Sequence, residues 1–390
     1  MIKRQITKRI KDLQKGFPVL AITGPRQSGK TTLIKNIFPK YEYFNLENPT
    51  LLALVENDPA GFLNQHNSHI ILDEVQRIPI LLSYIQSTVD EHKIMGDFII
   101  SCSENLLLSE KINQSLAGRV SYINLLPLSN LELSNAHKIK SSMYQQIFTG
   151  NFPAIYDRPV SPIDYYDSYL STYVERDLKQ ISNITNLSLF RKFLALLAGR
   201  VGQLLNTSSL ASDVGVTAMT IESWISILEA SYIVFRLRPY HHNFGKRHIK
   251  SAKLYFTDTG LACRLLGIVA STTLHEHYLI GGLFENMVIL EIKKYLQNTG
   301  NPSQLFFFRD SNGNEVDLII DHGDKITPVE IKSSATFSPD FLKGISYWQN
   351  LTKKNNPGLI IYNGSDTLNS HAYSIDKWNS PKYLSALFSN

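Results

Sequence analysis

One stretch constrains this chain more than any other: PVLAITGPRQSGKTTLIKNIF, residues 18–38. An apolar strand runs into a glycine-punctuated turn and then into a helix, and Gly24 to Thr31 spell G-x-x-x-x-G-K-[ST] in that setting. The two glycines let the backbone curl so that successive N–H groups point at phosphate oxygens. The following helix adds its positive N-terminal end. In such a loop Lys30 reaches the β- and γ-phosphates and Thr31 offers its hydroxyl to Mg²⁺. The candidate nucleotide contacts are therefore Gly24, Pro25, Arg26, Gln27, Ser28, Gly29, Lys30, Thr31 and Thr32, with ATP and Mg²⁺ as the expected ligands. The loop belongs between a strand and a helix, and further apolar stretches supply the rest of a sheet: YEYFNL (41–46), HIILDE (69–74), DFIISCS (97–103) and VSYINLLPLS (120–129). Strands separated by helical stretches imply a parallel sheet with helices on both faces.

HIILDE ends in two acids. Asp73, at the close of an apolar strand, is expected to hold the Mg²⁺ shell, and Glu74 beside it to act as the base for water. Loop and acid pair together point to NTP hydrolysis rather than nucleotide binding alone.

Composition bounds the rest. A length of 390 residues suits two to three domains, and 43% hydrophobic with 19% charged residues excludes wholesale disorder. The formal net charge of +5 is a mild pointer to a polyanionic partner. Two cysteines, Cys102 and Cys263, exclude a disulfide framework and suggest a reducing compartment. No apolar run approaches the roughly 20 residues that span a bilayer. The basic start MIKRQITKRIKDLQKG lacks the apolar centre of a secretory signal. Its Ile2, Ile6, Ile10 and Leu13 instead predict a helix packed on the first domain with a solvated basic face. A cytoplasmic protein with no membrane partner is expected.

Beyond residue 135 the pattern changes. Residues 140–205 carry helical periodicity, and 206–240 read as helix, glycine turn, helix and strand. Ser208 or Ser209 is expected to cap the first of these helices, Gly215 to make the turn and Thr217 to cap the second. The layout resembles a winged helix-turn-helix with IVFRLRPY as its first wing strand. Its second helix has no arginine or lysine, so phosphate contacts are expected from the basic segment GKRHIKSAK (245–253) instead. Packing against another protein is an equal alternative for this element. From 252 onward the order is strand, helix, hairpin, helix, strand, with SNGN (311–314) as the hairpin turn.

Taken together, TGPRQSGKTTL, ILDEVQRIP, SCSENLLLS and SLAGRV resemble AAA+ ATPases of the archaeal-ATPase type. GNFPAIYD, YVERDL, YFTDTGLACRLLG and EVDLII with PVEIKSS resemble the C-terminal domain of unknown function that accompanies them. The resemblance covers nearly the whole chain. It implies that Ser103 is a polar sensor of the γ-phosphate. It also implies that Arg119 is an arginine finger supplied by a neighbouring subunit of a homo-oligomer, with a structural arginine as the alternative. Arg176 is implied to be a salt-bridged scaffold residue.

The final domain carries acids within its strands, where charge is costly to bury unless paired or metal-bound. Glu330 and Lys332 share one strand face, Asp317 lies on the partner strand of the hairpin, and Glu285 lies on the preceding helix. This order resembles the restriction-endonuclease-like PD-(D/E)xK fold. In active members of that fold the carboxylates, here Glu285, Asp317 and Glu330, hold a divalent metal, and the lysine, here Lys332, positions the attacking water. The leading Pro-Asp is replaced by EVD, and a satisfied ion-pair cluster on an inherited scaffold stands as the alternative. HEH (275–277) lacks the spacing of a helical zinc motif, and the pair His241–His242 stands alone.

The expected fold class is α/β: a P-loop AAA+ parallel-sheet domain over 1–135, a helical lid or linker over 136–205, a winged helix-turn-helix over 206–251 and a restriction-endonuclease-like α/β domain over 252–390. The expected function is ATP hydrolysis coupled to a winged-helix, nuclease-like module acting on DNA. The alternative is a nucleotide-gated regulatory switch, in defence or toxin control, that engages a protein partner without nucleic-acid chemistry.

Overall fold

Strands β1 (Val19–Thr23), β2 (Glu42–Asn45), β3 (Ile70–Asp73), β4 (Phe98–Cys102) and β5 (Val120–Asn124) pair in the order β2-β3-β4-β1-β5, every pairing parallel. This computed structural model describes residues 2–66, 68–103, 116–174, 186–240, 251–353, 356–380 and 382–388. The central strands β1, β3 and β4 are buried along their whole length. That explains why they read as continuous apolar runs rather than as alternating ones. Alternate residues nevertheless go to opposite faces. Val19, Ala21, Ile70, Leu72, Phe98 and Ile100 pack with the helices at 49–57, 59–65 and 81–92. Leu20, Ile22, Ile71 and Ile99 pack with Leu33 and Ile34 of the helix Lys30–Ile37 and with Ile6 and Ile10 at the N-terminal end. The first helix, Thr7–Leu13, starts later than expected: Ile10 is buried within it and Ile6 just before it, Ile2 and Leu13 are half-buried, and Lys8 and Lys11 are exposed. Residues 1–128, 230–233 and 297–299 form this first unit.

The remaining residues form a second unit. In it the helix Leu187–Ala198 packs Phe190 and Phe193 against Trp224 of the helix Ala218–Ala230. The helix between them, Thr207–Val214, is capped by Asn206, whose side chain accepts from the Ser209 amide; neither Ser208 nor Ser209 is the cap. Gly215 (φ +93°) makes the turn, and the Thr217 hydroxyl caps the next helix by accepting from the Thr220 amide. Two strands follow, β6 (Val234–Pro239) and β7 (Lys253–Phe256), paired antiparallel.

These belong to an eight-stranded sheet. Its other members are β8 (Gln304–Arg309), β9 (Glu315–Asp321), β10 (Ile326–Lys332), β11 (Gly358–Tyr362), β12 (Leu368–Asn369) and β13 (Tyr373–Lys377), in the order β12-β13-β11-β10-β9-β8-β6-β7. β8, β9 and β10 are antiparallel neighbours, whereas β10, β11 and β13 run parallel. The turn between β8 and β9 forms at SNGN as expected. Asp310 accepts from the Asn312 and Asn314 amides there, and Gly313 supplies the positive φ of 87°. Among the described residues no helix is long and apolar enough to cross a membrane. Arg176, the pair His241–His242 and residues 245–250 of the basic segment lie outside the described residues.

Candidate functional site

The loop after β1 is shaped by backbone geometry that side chains other than glycine resist. Gly24 has φ +146°, and a Cβ there would lie 2.2 Å from the Leu125 carbonyl oxygen. Gly29, in the left-handed region at φ +93°, starts the helix Lys30–Ile37. Between them Ser28 is fully buried, and among the described residues its hydroxyl has no protein partner. The Lys30 ammonium donates to the Gly24 and Pro25 carbonyls at 2.9 and 3.1 Å. Burial lowers its pKa, against the opposing pull of Glu74 and Asp73. Arg26 pairs with Glu47 at 3.6 Å, Gln27 takes a positive φ of 61°, and Thr32 is exposed. From the chain start, buried Arg4 donates to the Ser28 carbonyl (2.9 Å) and the Leu126 carbonyl (2.6 Å), bracing the loop from below. Tyr232 donates to Thr23 at 2.8 Å, one residue before the loop, within the same unit.

β4 lies between β1 and β3, so its C-terminal residues stand beside both the loop and the acids. Asp73 is 4% exposed and accepts three hydroxyls. Thr31 and Tyr43 each donate to its Oδ2 at 2.7 Å, and Ser101 donates to its Oδ1. Glu74, in a left-handed conformation at φ 59°, accepts from Ser103 at 2.8 Å and from Gln76 at 2.5 Å. Burial, reinforced by the hydrogen bond to Asp73, pushes the Tyr43 hydroxyl well above its usual pKa, so it stays a donor. The structure thus brings Lys30, Thr31, Asp73, Glu74 and Ser103 together. Arg119 is engaged elsewhere: its Nε and Nη2 grip both oxygens of Asp90, at 2.5 and 2.8 Å.

Sequence reasoning missed Arg4, Tyr43, Gln76 and Ser101. Ser101 had a signal, since it sits two residues before Ser103 on the same face of β4. Tyr43 had none beyond lying in the neighbouring strand.

The residues suit the expected ligand. The orphaned Ser28 hydroxyl and the lysine at the loop are donors for a polyphosphate. The Thr31 hydroxyl beside the Asp73 carboxylate is an oxygen pair of the kind Mg²⁺ accepts.

The acids of the second unit are arranged differently. Lys253, 3% exposed, lies 2.8 Å from Glu285 and 2.5 Å from Glu315, and Tyr255 donates to the same Glu285 oxygen. Lys332 lies 2.8 Å from Asp317 and 2.5 Å from Glu330, and the Ile331 amide also donates to Asp317. Asp317 therefore sits below its usual pKa despite burial, held there by Lys332 and Lys253. Glu330 is pushed up to about 9 by burial and by Asp317, and its Oε1 has no partner among the described residues. Glu285, Asp317, Glu330 and Lys332 do come together, but with Lys253 and Glu315 among them, which sequence reasoning did not include. Each carboxylate faces an ammonium, and among the described residues no three of His, Cys, Asp or Glu converge as a metal-holding group. This donor set does not suit a divalent cation.

Residues 16–134 match the family described as AAA domain, 140–272 a domain of unknown function (DUF8612) and 280–380 a second one (DUF4143). The chain is 31% identical over 342 residues to the "Uncharacterized protein Rv2008c" of Mycobacterium tuberculosis, covering 86% of this chain and 74% of that protein. An "Uncharacterized protein" of Haemophilus influenzae is 22% identical over 345 residues, covering 80% and 82%. Among solved structures, the Walker-type ATPase PABY2304 of Pyrococcus abyssi aligns with 11% identity and a TM-score of 0.45, over 68% of this chain and 96% of its own. The first unit thus contains a P-loop nucleotide-binding domain of AAA type.

Proposed function

We propose, for a chain that belongs to the family of the uncharacterized Mycobacterium tuberculosis protein Rv2008c, that its AAA domain binds ATP with Mg²⁺ and hydrolyses it. The observation that carries this reading is the convergence of Thr31 on Asp73 and of Ser103 on Glu74 beside the glycine loop. Lys30 turns from the loop carbonyls to the β/γ-phosphate oxygens, as its long, flexible stem allows. Thr31 and Asp73 supply oxygen ligands for Mg²⁺. Bound there, the metal would draw charge from the transferring phosphoryl group. Glu74 takes the proton of the attacking water, with Ser103 and Gln76 fixing which way its carboxylate faces.

Downstream, the reading keeps the division into 1–135, 136–205, 206–251 and 252–390. The two helices around Gly215 and the strand β6 that follows them support a winged helix-turn-helix. The hairpin bearing Asp317 beside Glu330 and Lys332 supports a restriction-endonuclease-like scaffold. Because every acid of that cluster is lysine-bridged, we read the scaffold as inert and derive no cleavage step from it. The protein is read as cytoplasmic and as a homo-oligomer in which Arg119 leaves Asp90 to serve a neighbouring subunit's nucleotide. DNA is the partner that the winged-helix reading favours.

The test is steady-state ATP turnover by the full chain, with and without duplex and single-stranded DNA, beside Lys30→Ala and Glu74→Gln. Lys30→Ala should abolish turnover, and Glu74→Gln should bind nucleotide without hydrolysing it. Turnover by Glu74→Gln at the wild-type rate would rule out Glu74 as the base. A rate raised by DNA supports action on DNA; a rate indifferent to DNA favours the nucleotide-gated switch with a protein partner.

A further inference from the structure

Three hydroxyls converge on one buried carboxylate, and they come from three different elements. Thr31 opens the loop helix, Tyr43 lies in the middle of β2 and Ser101 lies near the end of β4. Thr31 and Tyr43 share Oδ2, while Ser101 takes Oδ1. The Tyr43 ring is itself fixed: the Lys35 ammonium, from the same helix as Thr31, stands 3.4 Å from its centroid. A cation over a phenol ring draws electron density from it and makes its O–H a better donor. A carboxylate presented to a metal needs outer partners to set its orientation, and their removal weakens metal affinity by about 10- to 100-fold.

We propose that Tyr43 is a positioning residue for the metal–nucleotide site: it fixes the orientation in which the Asp73 carboxylate faces the cation. Thr31 can donate its O–H to Asp73 and still offer an oxygen lone pair to the cation, so its place is tied to the metal as well as to the carboxylate. Tyr43 on Oδ2, with Ser101 on Oδ1, keeps the carboxylate from rotating, and neither hydroxyl belongs to the proposed metal ligands. Lys35 ties this brace to the helix that carries the loop. The inference rests on the proposed reading of the first unit as an ATP–Mg²⁺ site.

The experiment titrates Mg²⁺ into the full chain mixed with a fluorescent non-hydrolysable ATP analogue, for the wild type, Tyr43→Phe and Ser101→Ala. Tyr43→Phe loses only the hydroxyl and keeps the ring under Lys35. Its affinity for the analogue in EDTA should match the wild type within about twofold, since Asp73 then has no cation to orient. The Mg²⁺ concentration for half-maximal tightening should rise about tenfold, in line with the loss of one outer partner. Ser101→Ala should move the same midpoint in the same direction. A merely structural tyrosine would lower the thermal midpoint and leave the Mg²⁺ requirement alone. An unchanged Mg²⁺ midpoint in Tyr43→Phe, beside a wild type that tightens with Mg²⁺, overturns the role of Tyr43 and leaves the ATP site standing. A wild type whose affinity ignores Mg²⁺ overturns both.

Discussion

Gly24 and Arg4 show how much of the phosphate loop depends on single positions. Gly24→Ala would combine a left-handed φ with a Cβ driven 2.2 Å from a backbone oxygen of Leu125, which cannot swing aside as a side-chain tip would. We expect that variant to fold and to lose at least about tenfold in nucleotide affinity by fluorescence titration, because the loop must open to accommodate the methyl group. Arg4, from a buried position, ties a carbonyl within the loop (Ser28) to one just after β5 (Leu126). Hydrogen bonds from a charged donor contribute about 1.5–3 kcal/mol each. Arg4→Ala should therefore lower the stability of the first unit by about 3 kcal/mol in urea unfolding. A loss within about 0.5 kcal/mol, the scale of an ordinary surface change, would show the brace to be idle.

At the level of elements, the β9–β10 hairpin concentrates charge that burial should have excluded. Glu330 keeps its proton up to about 9 instead of the ordinary 4.5, so the folded hairpin binds more protons than the unfolded chain between those values. The stability this supplies is complete below about 4.5 and is lost as pH climbs to about 9. Glu330→Gln stays neutral throughout, so its stability relative to the wild type should rise steadily across that window. Thermal midpoints measured at several pH values would show it, and a constant difference would count against the assignment. Asp317 runs the other way, since its lowered pKa contributes stability that disappears as pH falls. Lys332→Ala leaves Asp317 and Glu330 without their shared cation. Its cost is set at about 3 kcal/mol, the low end for broken buried pairs, because Lys332 is 30% exposed. Millimolar Mn²⁺ should barely shift the wild-type midpoint, as the two lysines already compensate these acids.

For the molecule as a whole, the proposed role of Arg119 decides how many chains complete one nucleotide site. Arg119 is gripped by Asp90 on the outer side of the helix Leu81–His92. A finger acting in trans must exchange that partner for the phosphate of a neighbouring chain. Turnover per subunit should then rise with protein concentration. Mixing Arg119→Ala with Lys30→Ala chains should restore part of the activity that each lacks, because one intact loop can meet one intact arginine. Turnover that is independent of concentration, with no gain on mixing, returns Arg119 to a structural role.

The phosphate loop, the acid pair and the SNGN hairpin were legible in the linear sequence because each is local. A strand, a turn and a helix contiguous in the chain leave a pattern of glycines and apolar residues that no distant partner has to complete. The same holds for the first helix, whose apolar stripe is written in its own spacing. Ser103 and Arg119 were reached only through resemblance, and in the folded unit only Ser103 meets Glu74 directly. What the chain could not show alone is which side chains meet across the sheet. Tyr43 and Ser101 reach Asp73 because β2 and β4 flank β3, an order set by sheet topology rather than by chain order. Lys253 stands between Glu285 and Glu315 through pairings that span 32 and 62 residues. Hydrogen-bonded and charged partners so far apart impose no periodicity on the sequence, so only the packed tertiary structure decides whether a buried acid faces a hydroxyl, a lysine or nothing.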